Sequence, residues 1–442
     1  MHAFRSSRWL TVVLIPLLAA GASAVGAWGR VNRAPDVASR GFGAISASHS
    51  APAVSWPSWL PKAPPLPKPT GEVVRVGTVE ALFQTVEKAK PGLAILVEDG
   101  RYLLPRTLDL HADNLTLRGA SGDPQKVILD GAKSQHGELV AVTRCSGVTI
   151  ADLTIQNIRH NGFKLNADRL AQRVTIYHCT IHNVWQRGVK SPFVPDDPQE
   201  RFHARGVRIQ YCLFYNDRPK QFSDDPTDTP KTFGGNYVGG IDAMACRSWT
   251  ISDNVFVGIR GRTGSARGAV FLWQDSRDCI VERNLIIDCD CGICLGNSSR
   301  GRFPIHCTGC TVRNNFVARA PENGILADYT RDCRILHNTI HDPKSRLQRL
   351  IRLVHDNDGL VVANNLLSGP SMRIETTSKV QFRGNQTVKD MIGDFVDVAG
   401  GNLHLKSSPA AATLAADRFA EAPDDIDRQA RGPLTTIGAD QP

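Results

Sequence analysis

The segment WTISDNVFVG, at 249–258, shows the pattern that decides the fold. Apolar and polar residues alternate, a polar residue such as Asn254 follows, and further apolar residues come after it. CIVERNLIID at 279–288 and CTVRNNFVAR at 310–319 repeat this pattern. The other repeats are VTIADLTIQN (148–157), VTIYHCTIHN (174–183), VRIQYCLFYN (207–216), CRILHNTIHD (333–342), LVVANNLLSG (360–369) and VQFRGNQTVK (380–389). A pattern that recurs every 20 to 42 residues predicts strand-rich units stacked on one another, each burying its apolar face against its neighbours.

A column of polar and thiol side chains runs through these repeats. Its predicted members are Asp152, Cys179, Cys212, Asn254, Asn284, Asn315, Asn338, Asn365 and Asn385. Parallel strands of consecutive units pair in register about 4.8 Å apart, so like residues stack. A buried Asn at a bend then bonds to the Asn of the next unit and to the turn backbone, which satisfies the polar groups it buries. We therefore predict that the column is a structural ladder and not a catalytic one.

A short amphipathic segment precedes the repeats. TVEALFQTVEKAK at 78–90 has helical spacing of its apolar residues, with Thr78 as N-cap and Pro91 and Gly92 as a stop. The terminal unit of a solenoid needs a cover for its open apolar end. This segment is predicted to be a capping helix.

The capping helix, the Asn column and the stacked apolar residues cover roughly residues 73–390. In these features the chain resembles the right-handed parallel β-helix proteins of the pectate-lyase-like superfamily. The stretch from Gly240 to Cys289 resembles exported bacterial β-helix proteins in particular. The resemblance implies an all-β solenoid, and the superfamily includes polysaccharide lyases, glycoside hydrolases, epimerases and adhesive surface proteins. The fold alone therefore does not decide the function, which depends on the residues of the site.

The first 24 residues have the features of an export signal. Arg5 and Arg8 precede the apolar run at 9–20, and Ala22 to Ala24 fit the small-residue cleavage rule. The run is too short to be assigned as a membrane span, and an uncleaved anchor is the alternative. We expect a secreted, periplasmic or cell-surface protein with no membrane contact beyond this segment.

The remaining chain divides by composition into three parts. Residues 25–71 are rich in Ala, Ser and Pro, which predicts a poorly ordered linker. Residues 72–390 are predicted to form the β-helix, and residues 391–442 a tail that wraps or covers its far end. We expect a monomer.

Charge and cysteine usage narrow the class of partner and the chemistry. The net charge of +9 favours acidic partners such as anionic polysaccharide. No basic run with interleaved aromatics appears, which argues against nucleic acid. Cys279, Cys310 and Cys333 each precede an Asn of the column by five residues, so they are predicted to form a second, buried stack. The cysteine-rich stretch at 289–310 leaves a metal site or a disulfide as the alternative.

A second column precedes the Asn column and holds the candidate catalytic residues. Alternation predicts that its outward residues are Lys164, Lys190, Asp242, Val270, Cys294, Leu326 and Arg352. Lys164, Lys190 and Asp242 would then form an ionic group on one face. A lysine with a depressed pKa can act as a general base, and a polysaccharide lyase needs such a base beside a uronate carboxylate. A solvated ionic strip without a catalytic role is the alternative.

Two insertions, at 191–206 and 217–239, are predicted to form the walls of a cleft beside these residues. The second carries Asp224, Asp225 and Asp228, which are suitable Ca²⁺ ligands, although a solvated acidic loop has the same composition.

Four further residues are predicted to bind the substrate. Arg260, Arg262 and Arg267 lie in a Gly-rich turn and can engage carboxylates, and Trp273 can stack on a sugar ring. The sequence thus favours a protein that binds an acidic polysaccharide and cleaves it by β-elimination. The alternatives are a non-catalytic carbohydrate-binding or envelope-surface protein, and a glycoside hydrolase that uses Asp242 and Asp275.

Overall fold

The computed structural model describes residues 54–197, 199–345, 347–406, 415–432 and 435–441. Within these residues, parallel strands stack into a β-helix with three sheets, which we call A, B and C. A typical coil passes from sheet A to sheet B and then to sheet C. The predicted all-β parallel solenoid is confirmed, whereas the predicted signal peptide at 1–24 lies outside the described residues.

Strands are numbered along the chain. Sheet A holds β1 (Val73–Val76), β2 (Ala94–Val97), β5 (Thr116–Gly119), β8 (Thr149–Ala151), β11 (Thr175–Tyr177), β14 (Arg208–Gln210), β17 (Thr250–Ser252), β21 (Ile280–Glu282), β25 (Thr311–Arg313), β28 (Arg334–Leu336), β31 (Val361–Ala363) and β34 (Gln381–Arg383). Sheet B holds β3 (Gly100–Leu103), β6 (Val127–Asp130), β9 (Thr154–Ile158), β12 (Thr180–Val184), β15 (Leu213–Tyr215), β18 (Val255–Val257), β22 (Leu285–Ile287), β26 (Phe316–Ala318), β29 (Thr339–His341), β32 (Leu366–Ser368) and β35 (Gln386–Val388).

Sheet C carries the candidate site. It holds β4 (Leu108–Leu110), β7 (Glu138–Val142), β10 (Asn161–Leu165), β13 (Arg187–Ser191), β16 (Gly239–Met244), β19 (Val270–Trp273), β20 (Ser276–Arg277), β23 (Cys291–Leu295), β24 (Cys307–Thr308), β27 (Asn323–Arg331), β30 (Ile351–Asp358) and β33 (Arg373–Ile374). Two antiparallel pairs lie in the tail, β36 (Phe395–Asp397) with β37 (Asn402–Leu405) and β38 (Ala415–Ala416) with β39 (Thr435–Thr436).

Stacking of like residues builds the core. In sheet A, Ile150, Ile176 and Ile209 are level with one another on successive strands, and all three are fully buried. The same alignment runs through each sheet, so every coil contributes branched apolar side chains to one continuous interior. Each coil is stable only against its neighbours, as the repeat pattern predicts.

The asparagine ladder lies at the corner between sheets A and B. Its members are Asn254, Asn284, Asn315, Asn338, Asn365 and Asn385. Nδ2 of Asn254 donates to Oδ1 of Asn284 at 3.0 Å, and that oxygen also accepts the backbone N–H of Asn254 at 3.1 Å. Every buried amide is satisfied by the next coil, so the ladder is structural. Cys212 extends it, because its backbone N–H donates to Oδ1 of Asn254 at 2.9 Å.

The prediction that Asp152 belongs to this ladder is wrong. The pairing of β8 with β11 places the buried Leu153 level with Cys179, and Asp152 level with His178. Asp152 and His178 both have left-handed backbone at the corner, with φ of 55° and 49°. This conformation turns their side chains outward, where Asp152 accepts from Arg118 Nε at 2.5 Å and contacts His178 Nδ1 at 2.7 Å.

The capping helix α1 spans Val79–Glu87 and is shorter than the predicted 78–90. Oγ1 of Thr78 accepts the backbone N–H of Ala81 at 3.1 Å, as expected of an N-cap. Leu82 and Phe83 are buried on the face that packs against β1 and β4. In the part of the chain that the structure describes, no helix reaches the length and apolar character of a membrane span.

The predicted linker is described from residue 54 onward, and that part differs from the expectation. It lies against the β-helix, where the ring of Trp59 sits 6.2 Å from that of Phe316. Tyr177 donates its hydroxyl to the carbonyl of Pro64 at 2.6 Å. The tryptophans of this segment bury enough apolar surface to fix a chain whose overall composition suggests disorder.

The tail also differs from the prediction, because it runs along the side of the β-helix. Phe395 belongs to the same buried apolar cluster as Leu285 of sheet B, and Asp424 forms a 3.0 Å ion pair with Arg283. The last coil meanwhile leaves Phe382 43% exposed. The tail therefore covers the outside of sheets A and B, where apolar residues such as Leu285 project outward from the coils.

Candidate functional site

The outer face of sheet C carries the predicted ionic group. Strand pairing places Lys164 level with Lys190, and Lys190 level with Asp242. The three residues therefore lie on the adjacent strands β10, β13 and β16. The next residue in this column is Phe271, so the prediction of Val270 is wrong by one position. Val270 is instead part of the main core, because a glycine-rich turn delays the start of β19.

Asp242 is the centre of this group and is 2% exposed. Its Oδ2 accepts from Arg187 Nε at 2.7 Å and forms an ion pair with Lys190 Nζ at 3.0 Å. Its Oδ1 accepts from Trp273 Nε1 at 3.0 Å. Burial by itself would raise the pKa of Asp242, but the charges of Lys190 and Arg187 hold it at about 2. The carboxylate is therefore ionised at neutral pH.

Arg187 is the partner that the sequence analysis missed. It is almost fully buried, and its guanidinium lies 3.9 Å from the ring centre of Tyr237. Gly239 is its neighbour on the next strand. The available signal was the pairing of RGVK with GGID, which brings an arginine, a glycine and an aspartate together on adjacent coils.

The two predicted catalytic lysines differ in exposure. The side chain of Lys190 is 9% exposed, and its ammonium contacts Asp242 without hydrogen-bond geometry. The side chain of Lys164 is 23% exposed, and its Nζ donates to Glu138 Oε1 at 3.1 Å. Burial alone would raise the pKa of Glu138, but the charge of Lys164 makes the net shift downward. Lys164 is thus the lysine that a bound molecule can reach.

The same face becomes apolar beyond Asp242. Phe271, Cys294 and Leu326 continue the column and form a buried cluster on the outer side of sheet C. Trp273 is half-buried beside them and stacks on Phe271 at 5.0 Å. Trp273 therefore joins the ionic half of the face to the apolar half. Aromatic and apolar side chains beside a few fixed polar groups are typical of ligand-binding sites.

Of the predicted cleft walls, the insertion at 191–206 contacts a second loop. Arg302 forms a 2.9 Å ion pair with Asp196 and lies 4.0 Å over the ring of Phe193. These contacts join the insertion to the segment that follows β23. They build a wall at the end of the sheet C strands.

The insertion at 217–239 does not hold the predicted Ca²⁺ site. Lys220 is fully buried, and its Nζ lies 2.9 Å from Asp225 and 3.1 Å from Asp228. Asp224 instead accepts from Arg218 at 2.7 Å. The two buried carboxylates already enclose the ammonium of Lys220, which takes the place that a metal ion would need.

The predicted substrate-binding arginines are dispersed. Arg260 is exposed on the turn after β18. Arg262 donates to the carbonyl of Gly234 at 3.0 Å, and this bond fixes the neighbouring loop. Arg267 is half-buried. Its positive charge lowers the pKa of Asp328, but burial of Asp328 is the larger effect and makes the net shift upward.

Asp275 lies in a different ionic cluster from Asp242. Arg247 bridges Asp275 and Glu200 at 2.7 and 2.9 Å, and His203 lies next to both carboxylates. Glu200, His203 and Asp275 are close enough to share a metal ion, but both carboxylates are already paired with Arg247. Burial opposes ionisation of Asp275, but His203 and Arg247 lower its pKa to about 2. A glycosidase needs one carboxyl that is protonated near neutral pH, so this pair of aspartates is poorly suited to hydrolysis.

The cysteines divide between two environments. Cys279, Cys310 and Cys333 contact one another inside the β-helix, as predicted for a stack of buried thiols. Cys291 and Cys294 lie on the outer face of sheet C. Strand alternation therefore separates the thiols of the cysteine-rich stretch, and all eleven cysteines are buried and unpaired.

Comparison with known proteins places the chain among proteins of this architecture. A family model described as a right-handed β-helix region matches residues 125–387. The structure of pectate lyase Pel9A is similar over 81% of this chain and 90% of its own, with 11% identity and a TM-score of 0.54. An alginate lyase from Paenibacillus sp. str. FPU-7 matches over 71% of this chain and 98% of its own, with 12% identity and a TM-score of 0.39. A search of curated proteins found no match.

Proposed function

Since the chain belongs to the family of right-handed β-helix proteins, we propose that it is an exported protein that binds an acidic polysaccharide on the outer face of sheet C and cleaves it by β-elimination. The observation that carries this proposal is the group of three cations on β10 and β13. Lys164, Arg187 and Lys190 lie on adjacent coils beside a half-buried tryptophan. The similarity to pectate lyase Pel9A is consistent with this class of ligand.

The charge of the group favours anionic ligands. Asp242 balances one of the two buried cations, Arg187 and Lys190, and Glu138 balances Lys164. One positive charge remains in a site of low dielectric constant, where it attracts a carboxylate more strongly than it would in water. The fixed ion pairs hold the strands in place, so Lys164 and Trp273 are the groups that contact the sugar.

The proposed cleavage needs a proton acceptor beside a uronate carboxylate. The base removes the proton at the carbon that bears the carboxylate, and the electron pair forms a carbon–carbon double bond. The bond to the glycosidic oxygen breaks, and that oxygen takes a proton from solvent. A cation next to the carboxylate stabilises the negative charge that develops during this step. Lys164 is the predicted base that a substrate can reach.

Binding without cleavage is the second candidate, and the enclosure of the Lys190 ammonium favours it. A base must contact the proton it abstracts, and Lys190 meets this requirement only if the surrounding loops move. A protein of this kind retains affinity for the polymer and releases no product.

The test is a product assay on pectate and on alginate, with and without chelator. Elimination produces an unsaturated uronate that absorbs ultraviolet light, whereas hydrolysis yields reducing ends without that absorbance. We expect the unsaturated product from one of the polymers, and a loss of at least tenfold in kcat/KM for Lys164→Gln. The matched control is Lys126→Gln, which changes a lysine just before sheet B strand β6. Binding of neither polymer by the wild-type protein overturns the proposal.

A further inference from the structure

We propose that Asp328 and His355 form a second proton-transfer centre on sheet C, with the Nε2 atom of His355 as the proton acceptor. This inference rests on the proposed function and names a base for it. His355 Nδ1 lies 2.7 Å from Oδ1 of Asp328. Asp328 is 2% exposed, whereas the side chain of His355 is 40% exposed. A buried carboxylate therefore orients an imidazole that faces solvent.

The contact fixes the tautomer of the imidazole. An ionised carboxylate only accepts hydrogen bonds, so Nδ1 of His355 carries the hydrogen. The neutral ring then presents the lone pair of Nε2, for which the described residues offer no hydrogen-bond partner. An imidazole held in this way by a carboxylate is the arrangement that general bases use.

The surroundings of His355 hold the ring and supply positive charge. Its ring is stacked on Tyr329 with 4.6 Å between the ring centres and 2° between the planes. Arg300 lies 5.1 Å over Tyr329 and 3.9 Å from Asp356. Arg352 and Arg267 also act on Asp328, and Arg352 forms a 2.7 Å ion pair with Glu375. Arginines at this position can hold a sugar carboxylate while the imidazole takes the adjacent proton.

A second histidine in the molecule has the same stacking without the same chemistry. His182 is stacked on Tyr215 at 4.1 Å, and its Nε2 contacts Asp217 at 2.9 Å. Its Nδ1 contacts Gln156, so both ring nitrogens have protein partners. The side chain of Asp217 is 54% exposed. His182 is therefore a matched control for the stacked ring and the carboxylate contact.

The new centre and the lysine group share one face at different positions. The strands from β10 to β30 are separated by six spacings of about 4.8 Å, or roughly 29 Å. A polysaccharide that lies along the axis of the β-helix passes both groups. In this arrangement Lys164 is a binding cation instead of the base, and His355 removes the proton.

The experiment compares His355→Gln, Asp328→Asn, Lys164→Gln and the control His182→Gln with wild-type protein on pectate and alginate. We expect His355→Gln to lower kcat by roughly 10²-fold or more, the usual contribution of a general base. Lys164→Gln should mainly raise KM, and His182→Gln should change neither constant. Asp328→Asn removes the charge that stabilises the imidazolium, so the acid limb of the pH–rate profile should move to lower pH.

A spectroscopic measurement keeps the proposal testable without turnover. With ¹⁵N-labelled histidine, NMR should show His355 as the Nδ1–H tautomer, and an oligosaccharide of the bound polymer should shift its signals but not those of His182. Retained kcat in His355→Gln, together with lost kcat in Lys164→Gln, overturns this inference and leaves the proposed function intact. An Nε2–H tautomer also overturns it. A wild-type protein that binds neither polymer overturns both.

Discussion

The corner between sheets A and B and the outer face of sheet C are built from the same coils but follow opposite rules. At the corner, one residue type repeats through six coils, and five of the six amides donate to the asparagine of the next coil. On sheet C, the column changes from lysine to aspartate to phenylalanine within three strands, β13, β16 and β19. A residue type that repeats from coil to coil occupies a position whose role is to stack on its neighbours. A position where the residue type changes from coil to coil can carry a functional side chain.

The largest predicted effect is on the repeated corner. Asn315→Ala removes a fully buried amide that bonds to the coils on both sides, and leaves their polar groups without partners. We expect a loss of about 3 kcal/mol or more in the free energy of unfolding, measured by urea titration. Asn385→Ala, at the half-buried end of the ladder, should cost only about 1 kcal/mol. Equal losses for the two variants would contradict a ladder supported from both sides.

The next effect concerns the ionic group on sheet C. Asp242→Asn leaves Arg187 and Lys190 buried without their counter-ion, so we expect a loss of about 3 kcal/mol in the free energy of unfolding. Glu138→Gln removes a more exposed carboxylate and should cost less than about 1 kcal/mol. Thermal and urea unfolding of both variants measure this difference. A small loss in the free energy of unfolding for Asp242→Asn would show that the buried cluster contributes little to the stability of the fold.

The third prediction uses pH to distinguish the two regions. His337 is buried at the corner, and burial lowers its pKa to about 3. Its folded pKa is below the unfolded value of 6.5, so its stabilising contribution is complete above pH 6.5 and is lost as the pH falls toward 3. Between pH 6.5 and pH 5 the loss should be roughly 2 kcal/mol.

The matched variant for this prediction is His337→Asn. Asparagine already occupies the equivalent corner positions on the adjacent coils, at Asn314 and Asn364. The variant should therefore fold, and it should lose less stability than the wild-type protein on moving from pH 7 to pH 5. His306, whose pKa burial lowers to about 4, still contributes acid sensitivity in both proteins. Identical acid sensitivity of the two proteins would exclude His337 as a source of it.

The smallest predicted effect on stability accompanies a clear effect on binding. Lys164→Gln breaks one partly exposed ion pair and should change the free energy of unfolding by less than about 0.5 kcal/mol. Loss of one charge contact should weaken polyuronate binding about tenfold, as measured by calorimetric titration. Raising the salt concentration should reduce this difference, because salt screens exposed charges. Unchanged affinity of the variant would show that the ligand does not contact Lys164.

The repeated parts of the fold could be predicted from the sequence, because coils that stack in register carry the same residue types at equivalent positions. The six asparagines and the buried thiol stack follow from this regularity. Arg187 could not be predicted in the same way, since its burial depends on the ring of Tyr237, which the insertion at 217–239 supplies. Its role depends on contacts between a coil and an insertion, and no repeat encodes those contacts.

The predictions for the irregular segments were wrong for related reasons. The segment that contains Trp59 has the composition of a linker, and its packing depends on a few aromatic anchors. Asp152 was misplaced because a polar residue stands one position before the ladder, at a left-handed corner. The carboxylates of Asp225 and Asp228 suggested a metal site, and a buried lysine proved to be their cation.

Above all, we propose that an acidic polysaccharide binds on the outer face of sheet C. Hydrogen–deuterium exchange of the full chain, with and without a saturating polyuronate oligosaccharide, tests it most directly. We predict slower exchange in the strands and flanking loops of β10, β13, β16 and β19, and unchanged exchange at the corner that carries Asn254 to Asn385. Protection confined to that corner, or to the tail side of sheets A and B, would contradict it.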